Sequence, residues 1–227
     1  MNNLIELKNV SKHYTVNKKV IILKKINYKF KKGLIYSLVG PSGSGKSTLL
    51  NLLSLIDQPT KGEILINNKI IRYKDTSIND RIRADKIGII YQQNNLLPDF
   101  TALENVYLAR LVFENNKEKA ITEATKIIRN FGLSKRLNYF PSELSGGEIQ
   151  RIAISRALIN KPEIILADEP TGSLDHTTAK EVFKTLYKLK NKNRLIIYAT
   201  HNRLFANMAD CKLEIIDGII KLSNVRN

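Results

Sequence analysis

Nine residues, "GPSGSGKST" at Gly40 to Thr48, carry the clearest chemistry in the sequence. Gly40, Gly43 and Gly45 allow the backbone to curl so that successive N–H groups converge on a phosphate. Pro41, Ser42 and Ser44 fill the loop between them. Lys46 is spaced to reach β- and γ-phosphates, Ser47 offers a hydroxyl to Mg²⁺, and Thr48 offers a further phosphate contact. Every fixed position of the pattern GxxxxGK[ST] is met, and a glycine-rich turn without a ligand has no need of all of them. These residues predict a site for a nucleoside triphosphate with Mg²⁺.

A phosphate loop needs a carboxylate partner for its metal, and "IILADE" supplies one. Asp168 closes an apolar run, where a side chain can hold the water shell of Mg²⁺. Glu169 follows at the mouth of that run, placed to orient and polarise an attacking water. A second anion seat lies far downstream of the phosphate loop and before "IILADE", in "PSELSGGEIQR". Ser145 and Glu148 stand in the S-x-x-E spacing of a capping box, and Gly146 and Gly147 leave the helix start bare enough for a phosphate to approach. Taken alone, this segment could equally be a capped helix and nothing more.

The elements that must position these residues follow from hydrophobic periodicity. Leu4 to Val10 and Val20 to Phe30 alternate as half-buried strands. "LIYSLVG" before the phosphate loop is a buried parallel strand, and a helix starts near Lys46, whose N-terminus adds partial positive charge. "EILINNKII" reads as one strand and "IGIIYQQ" as another. Thr101 and Glu104 cap a helix over "ALENVYLARLV", and "KEKAITEATKIIRNFG" is a helix stopping at Gly132. The helix opened by the second seat spans about Gly146 to Asn160. "EIILADEP" and "RLIIYATHN" are buried strands around the helix "TTAKEVFKTLYKLKN", and "KLEIIDGIIKL" is a hairpin turned at Asp217-Gly218. The result is an α/β core over 1–93 and 159–227, interrupted by a helical lobe over 94–158, within one domain of 227 residues.

Composition narrows the setting. The longest near-apolar runs fall short of the roughly 20 residues that span a bilayer. "MNNLIELKNV" carries Glu and Lys and has no signal-peptide core. The single Cys211 excludes an internal disulfide framework, fits a reducing compartment and reads as a buried, inert thiol. The net charge of +16 raises nucleic acid as a partner. The lysines are scattered, however, and the densest group, "KKVIILKKINYKFKKG", alternates with apolar residues as solvated strands do, so no nucleic acid is expected. His13 and His176 read as surface residues.

The phosphate loop, "LSGGE", "IILADE", and the downstream "SLD" and "TH", in this order, resemble the ATP-binding cassette (ABC) ATPases over essentially the whole chain. Glu148 stands where Gln is commonest in that family. The resemblance implies a P-loop NTPase (RecA-like) core with an antiparallel β subdomain and an inserted α-helical lobe. It implies ATP hydrolysis in a head-to-tail homodimer, each ATP lying between one P-loop and the partner's Ser145, Gly146, Gly147 and Glu148. It also implies adenine stacking by Tyr14, against a simple reading of Tyr14 as a packed strand-end aromatic. By the same resemblance Gln92 contacts Mg²⁺ and the attacking water, Asp175 crosses the dimer interface, and His201 touches the γ-phosphate.

Having no span of its own, such a chain needs separate integral membrane transporter subunits and sits peripherally on the cytoplasmic face of the inner membrane. The loop "NNLLPDFTALENV" is expected either to receive a coupling helix from them or to pack Leu96, Leu97 and Phe100 into the core. "LLPDFTALENV" and "PSELSGGE" look most like the branch of the family that releases lipoproteins from the bacterial inner membrane toward the outer one, the membrane subunits handling the lipoprotein cargo. Branches serving macrolide export and cell division are close alternatives. The sequence ends soon after its last strand, so no regulatory C-terminal domain is expected. A soluble ABC ATPase acting on nucleic acid or ribosomes is the alternative of another class, but it would carry a coiled-coil insertion or a second cassette. A simple P-loop kinase would have no use for "LSGGE".

Overall fold

A computed structural model describes residues 3–15 and 18–225. Two long strands, β1 (Asn3–Thr15) and β2 (Lys19–Lys31), pair antiparallel and bury Leu4, Ile5, Leu7, Val10, Leu23, Ile26 and Phe30 while most of their lysines face outward. The alternation slips where Asn9 (φ 50°) and Lys25 (φ 45°) enter the left-handed region, and the register shifts around them. Such bulges bend a strand pair and increase its twist. β4 (Lys61–Ile66) joins the other edge of β1, and β5 (Lys69–Ile70) completes a four-stranded sheet ordered β2-β1-β4-β5. The single strand expected over "EILINNKII" is thus a hairpin. Asn67 (φ 50°) and Asn68 (φ 62°) form its two-residue turn, a conformation asparagine tolerates better than most residues.

The second sheet has six strands in the order β10-β9-β3-β8-β7-β6. β3 (Ile35–Val39), β6 (Ile87–Ile90), β7 (Ile164–Asp168), β8 (Leu195–Ala199) and β9 (Cys211–Ile216) run parallel, and β10 (Ile219–Val225) closes one edge antiparallel to β9. β7 and β8 are buried nearly end to end, as their apolar runs require of a sheet covered on both faces. The turn at Asp217 (φ 49°) and Gly218 (φ 77°) lies where the sequence places it. Cys211 is buried. The strand expected at the start of "IGIIYQQ" ends at Ile90, where pairing with β7 ends, and the loop follows.

One apolar cluster lies between the two sheets around α1 (Lys46–Leu53) and includes Leu49, Leu50, Leu52 and Leu53. A second covers the opposite face of the six-stranded sheet. It joins Ile154 and Leu158 of α5 (Gly146–Leu158), Val182, Phe183 and Leu186 of α6 (His176–Lys188), and Phe205 of the short α7 (Arg203–Ala206). A third belongs to the helices alone, α3 (Ala102–Leu111), α4 (Lys117–Asn130) and α5, through Val106, Ala124, Ile128 and Ile152. α5 therefore has one stripe in the helical cluster and another against the sheet. The remaining helix, α2 (Thr76–Lys86), has no strong apolar period and buries only Asn79, which explains why the hydrophobic pattern does not reveal it. Among the described residues no helix is long and apolar enough to cross a membrane.

Candidate functional site

The phosphate loop leaves the C-terminal end of β3 and enters α1 at Lys46. Gly40 (φ 146°) and Gly45 (φ 105°) hold angles that L side chains avoid, and a Cβ at Gly40 would meet the Ile215 carbonyl oxygen at 2.4 Å. Only glycine fits there. Lys46 is 6% exposed, and its ammonium donates to the carbonyls of Gly40 and Pro41, each at 3.0 Å. Burial lowers the Lys46 pKa, while Glu169 and Asp168 act in the opposite direction. The first turn of α1 holds no acidic residue, so its positive end is not neutralised internally.

Asp168 ends β7, and Glu169 takes the left-handed conformation (φ 45°), an arrangement costing about 1 kcal/mol for a residue with a side chain. Its N–H donates to the Ala199 carbonyl at 3.1 Å, turning the side chain toward the end of β8. There the backbone N–H of His201 donates to Glu169 Oε2 at 3.3 Å. The His201 Nε2 lies 3.4 Å from Oε1, which is buried and makes no hydrogen bond. Burial raises the Glu169 pKa. Gln92 reaches the same region, since its amide packs against Gly172 so closely that a Cβ there would lie 2.9 Å from Gln92 Nε2.

These groups fit a triphosphate and its metal. The Ser44 hydroxyl oxygen is buried without a partner, as is Glu169 Oε1, and the Lys46 ammonium has a third proton beyond its two carbonyl bonds. No group of three or more His, Cys, Asp or Glu side chains gathers for a metal among the described residues. A hard cation here would thus depend on Ser47, Asp168 and phosphate oxygens, as Mg²⁺ commonly does.

Tyr14 is 42% exposed, and its hydroxyl donates to Asp57 Oδ2 at 2.7 Å. Thr48 is close enough to influence that hydroxyl, which places Tyr14 beside the start of α1. Neither Asp57 nor its partner Lys12 is marked by any motif. Their relation to Tyr14 depends on β1 lying beside the loop after α1, a contact that no local pattern encodes.

The second seat is elsewhere. Ser145 caps α5, its hydroxyl accepting from the Glu148 N–H at 3.3 Å, and the Ser145 N–H donates back to Glu148 at 2.9 Å. Arg136 pairs with Glu148 at 2.7 Å, an interaction the sequence reading did not find. That bond and the cap hold the Glu148 pKa down to about 2. Gly146 faces solvent, whereas Gly147 is buried, and a Cβ on Gly147 would meet Thr178 Cγ2 at 2.6 Å. The bareness of Gly147 is therefore used in packing α5 against α6, and only Gly146 leaves open surface. None of the cap hydrogen bonds reaches residues 40–48. Asp175 caps α6, accepting from the N–H groups of Thr177 and Thr178 and from the Thr177 hydroxyl, which hold its carboxyl well below the usual range. His176 is exposed and His13 half-buried.

The family model described as "ABC transporter" matches residues 23–172, well over half of the chain. The chain belongs to the ABC transporter family. It is an ATPase of that family, with the α/β cassette fold. It is 46% identical to the lipoprotein-releasing system ATP-binding protein LolD of Rickettsia bellii, over 98% of this chain and 99% of that protein. It is 44% identical to the LolD of Wigglesworthia glossinidia brevipalpis, over 99% and 100% respectively. An ATP-binding cassette solved as a dimer in a post-hydrolysis state, bound to ADP and Pi, superposes with a TM-score of 0.91 at 37% identity, covering 99% of this chain and 100% of that one.

Proposed function

We propose that the chain is the ATP-hydrolysing subunit of a transporter that releases lipoproteins from the bacterial inner membrane toward the outer membrane. Near-full-length similarity to several lipoprotein-releasing ATP-binding proteins supports the branch assignment. The observation that carries the mechanism is that the cap hydrogen bonds of the second anion seat stay within its own segment and do not reach the first. The P-loop end of the cassette holds Lys46, Asp168, Glu169 and His201, while Ser145, Gly146 and the α5 N-terminus are capped, partly bare and joined to other partners. One chain supplies two halves, and a head-to-tail second copy completes each chamber. Asp175, on the cap of α6 against which α5 packs, would lie at the same junction.

Gly40 to Thr48 bind the phosphates, Lys46 spans the β and γ groups, and Tyr14 stacks on the adenine. Ser47, Asp168 and Gln92 would hold Mg²⁺, which when bound neutralises charge on the phosphates. Glu169 accepts the proton of an attacking water through its free Oε1, and His201 reaches the γ-phosphate end. Loss of the γ-phosphate removes the bridge between the two copies, so the dimer opens.

A groove of about 500 Å³, lined by Arg83, Tyr91, Asn95, Val112 and Arg156, offers a surface that a membrane subunit could engage. Arg156 donates to the carbonyls of Asn94 and Asn95 at 2.7 and 2.6 Å, and the buried amide of Asn105 ties Leu97, Phe100 and Thr101. The loop after Gln92 is thus pinned with Leu97 and Phe100 partly exposed, while Leu96 packs on the helical core. This favours a receiving surface on the cytoplasmic face of the membrane for separate transporter subunits, which would handle the lipoprotein.

The test is to purify the tagged chain from inner membranes and identify what accompanies it. Integral membrane subunits whose complex releases lipoprotein from proteoliposomes with ATP are expected. A chain that leaves membranes freely and binds no such subunit would overturn the proposal.

A further inference from the structure

Tyr14 is held by more than its own strand. Lys12 lies two residues before it on β1 and is 8% exposed, and its ammonium donates to Asp57 Oδ1 at 2.6 Å and to the Gln58 carbonyl at 2.9 Å. The same nitrogen stands 4.7 Å from the centre of the Tyr14 ring, covering one of its faces. The Tyr14 hydroxyl takes the other carboxylate oxygen of Asp57 at 2.7 Å. Asp57 is itself fixed to the P-loop helix, because its N–H and that of Ile56 both donate to the Asn51 carbonyl, at 3.2 and 3.1 Å.

We propose that Lys12 and Asp57 are positioning residues of the nucleotide site, clamping the Tyr14 ring so that one open face is presented to the base. This rests on the reading of Tyr14 as the adenine-stacking residue. A tyrosine on a strand end would otherwise sample several rotamers, and ordering it on ligand binding costs affinity. Here the rim of the ring is bonded, one face is occupied by a cation, and the ring nevertheless remains 42% exposed. Burying an ammonium is unfavourable unless its bonds are good. The Lys12 ammonium has two such bonds. Burial acts to raise the Asp57 pKa, but the bonds from Lys12 and Tyr14 outweigh it and hold the carboxyl below its ordinary value. Asp57 is thereby the joint between two halves of one site, the base on β1 and the phosphates at the start of α1.

The test compares the affinity of the full chain for ATP with that for inorganic tripolyphosphate, which has phosphates and no base. Asp57→Ala and Lys12→Met are expected to weaken ATP about threefold to tenfold and leave tripolyphosphate unchanged. Asp57→Asn, which keeps an acceptor for Tyr14, is expected to fall between them and wild type. In a Tyr14→Ala background, Asp57→Ala should weaken ATP no further. Equal losses for both ligands, or additive losses in the double variant, would show a merely structural ion pair and overturn the clamp. So would an unaffected Asp57→Ala beside a weakened Tyr14→Ala, with base stacking left standing. An unaffected Tyr14→Ala would remove the stacking assignment and the clamp together.

Discussion

Glu169 and His201 meet across the ends of two neighbouring strands, the backbone N–H of His201 donating to Glu169 Oε2 at 3.3 Å and its ring nitrogen lying 3.4 Å from Oε1. One carboxylate oxygen is thus held by the backbone, and the other is buried without a hydrogen bond. Glu169→Gln preserves the shape and can keep the backbone contact, but it cannot take a proton from water. Turnover is expected to fall by at least about 100-fold, with ATP still bound and an ATP-dependent dimer accumulating. Phosphate release and light scattering in ATP measure the two effects. Normal turnover in this variant would remove Glu169 from the role of general base.

The raised Glu169 pKa gives that role a sign in pH. The group accepts a proton only when ionised, so ATP hydrolysis should decline on acidification at a higher pH than an ordinary exposed carboxylate would dictate. Glu169→Gln should lack this acid limb in its residual rate. A pH–rate profile of both proteins at saturating ATP checks it.

Lys46 should govern affinity as well as rate. Its ammonium donates to two backbone carbonyls of the loop, and its third proton is directed to a phosphate oxygen in the proposed site. Lys46→Ala is expected to weaken ATP by about tenfold or more, the usual scale for losing a hydrogen bond to a charged group. ADP should lose less, because it has no γ-phosphate. Titration with both nucleotides makes the comparison, and equal losses would argue against contact with the γ-phosphate.

Much of this was legible because the chemistry is local in sequence. The P-loop, "IILADE" and the Ser145 capping box are short patterns whose backbone consequences are steric, and the buried strands around them are continuous apolar runs. The Asn67-Asn68 turn was hidden because two short strands share one apolar alternation across it. α2 was hidden because a helix that buries only Asn79 leaves no period to read. Asp57, Lys12 and Arg136 escaped for another reason, since each acts on a residue that only the tertiary fold brings near. Gly147 was visible as a glycine, but not the Thr178 methyl that requires it.

Arg136 and Glu148 tie the α5 start to the segment that follows α4, and this pair predicts an acid dependence of stability. The Glu148 pKa is depressed from 4.5 to about 2, so its contribution is complete above about 4.5 and is lost as pH falls toward about 2. Arg136→Ala should therefore lower Tm relative to wild type at pH 7, and the difference should shrink progressively below about pH 4.5. A gap in Tm that stays constant down to pH 3 would mean that Arg136 acts through packing alone.

The two adjacent glycines of α5 should respond oppositely to alanine. Alanine is a better helix former than glycine, by up to about 1 kcal/mol in a helix interior and less in the first turn, so propensity alone predicts no loss of stability at either. At Gly147 the added methyl would overlap Thr178 Cγ2 at 2.6 Å, and overpacking of this kind costs about 1–3 kcal/mol, which outweighs the gain. Gly147→Ala should lower Tm, and Thr178→Ser, which deletes the offending methyl, should recover it. At Gly146 the new Cβ would meet only Leu174 Cδ2 at 3.4 Å, an ordinary contact. Gly146→Ala should accordingly keep or raise Tm while reducing ATP hydrolysis, because in the proposed head-to-tail pair the methyl would stand where the partner copy's phosphate approaches. Full ATPase activity in a stably folded Gly146→Ala chain would take the second anion seat out of the mechanism.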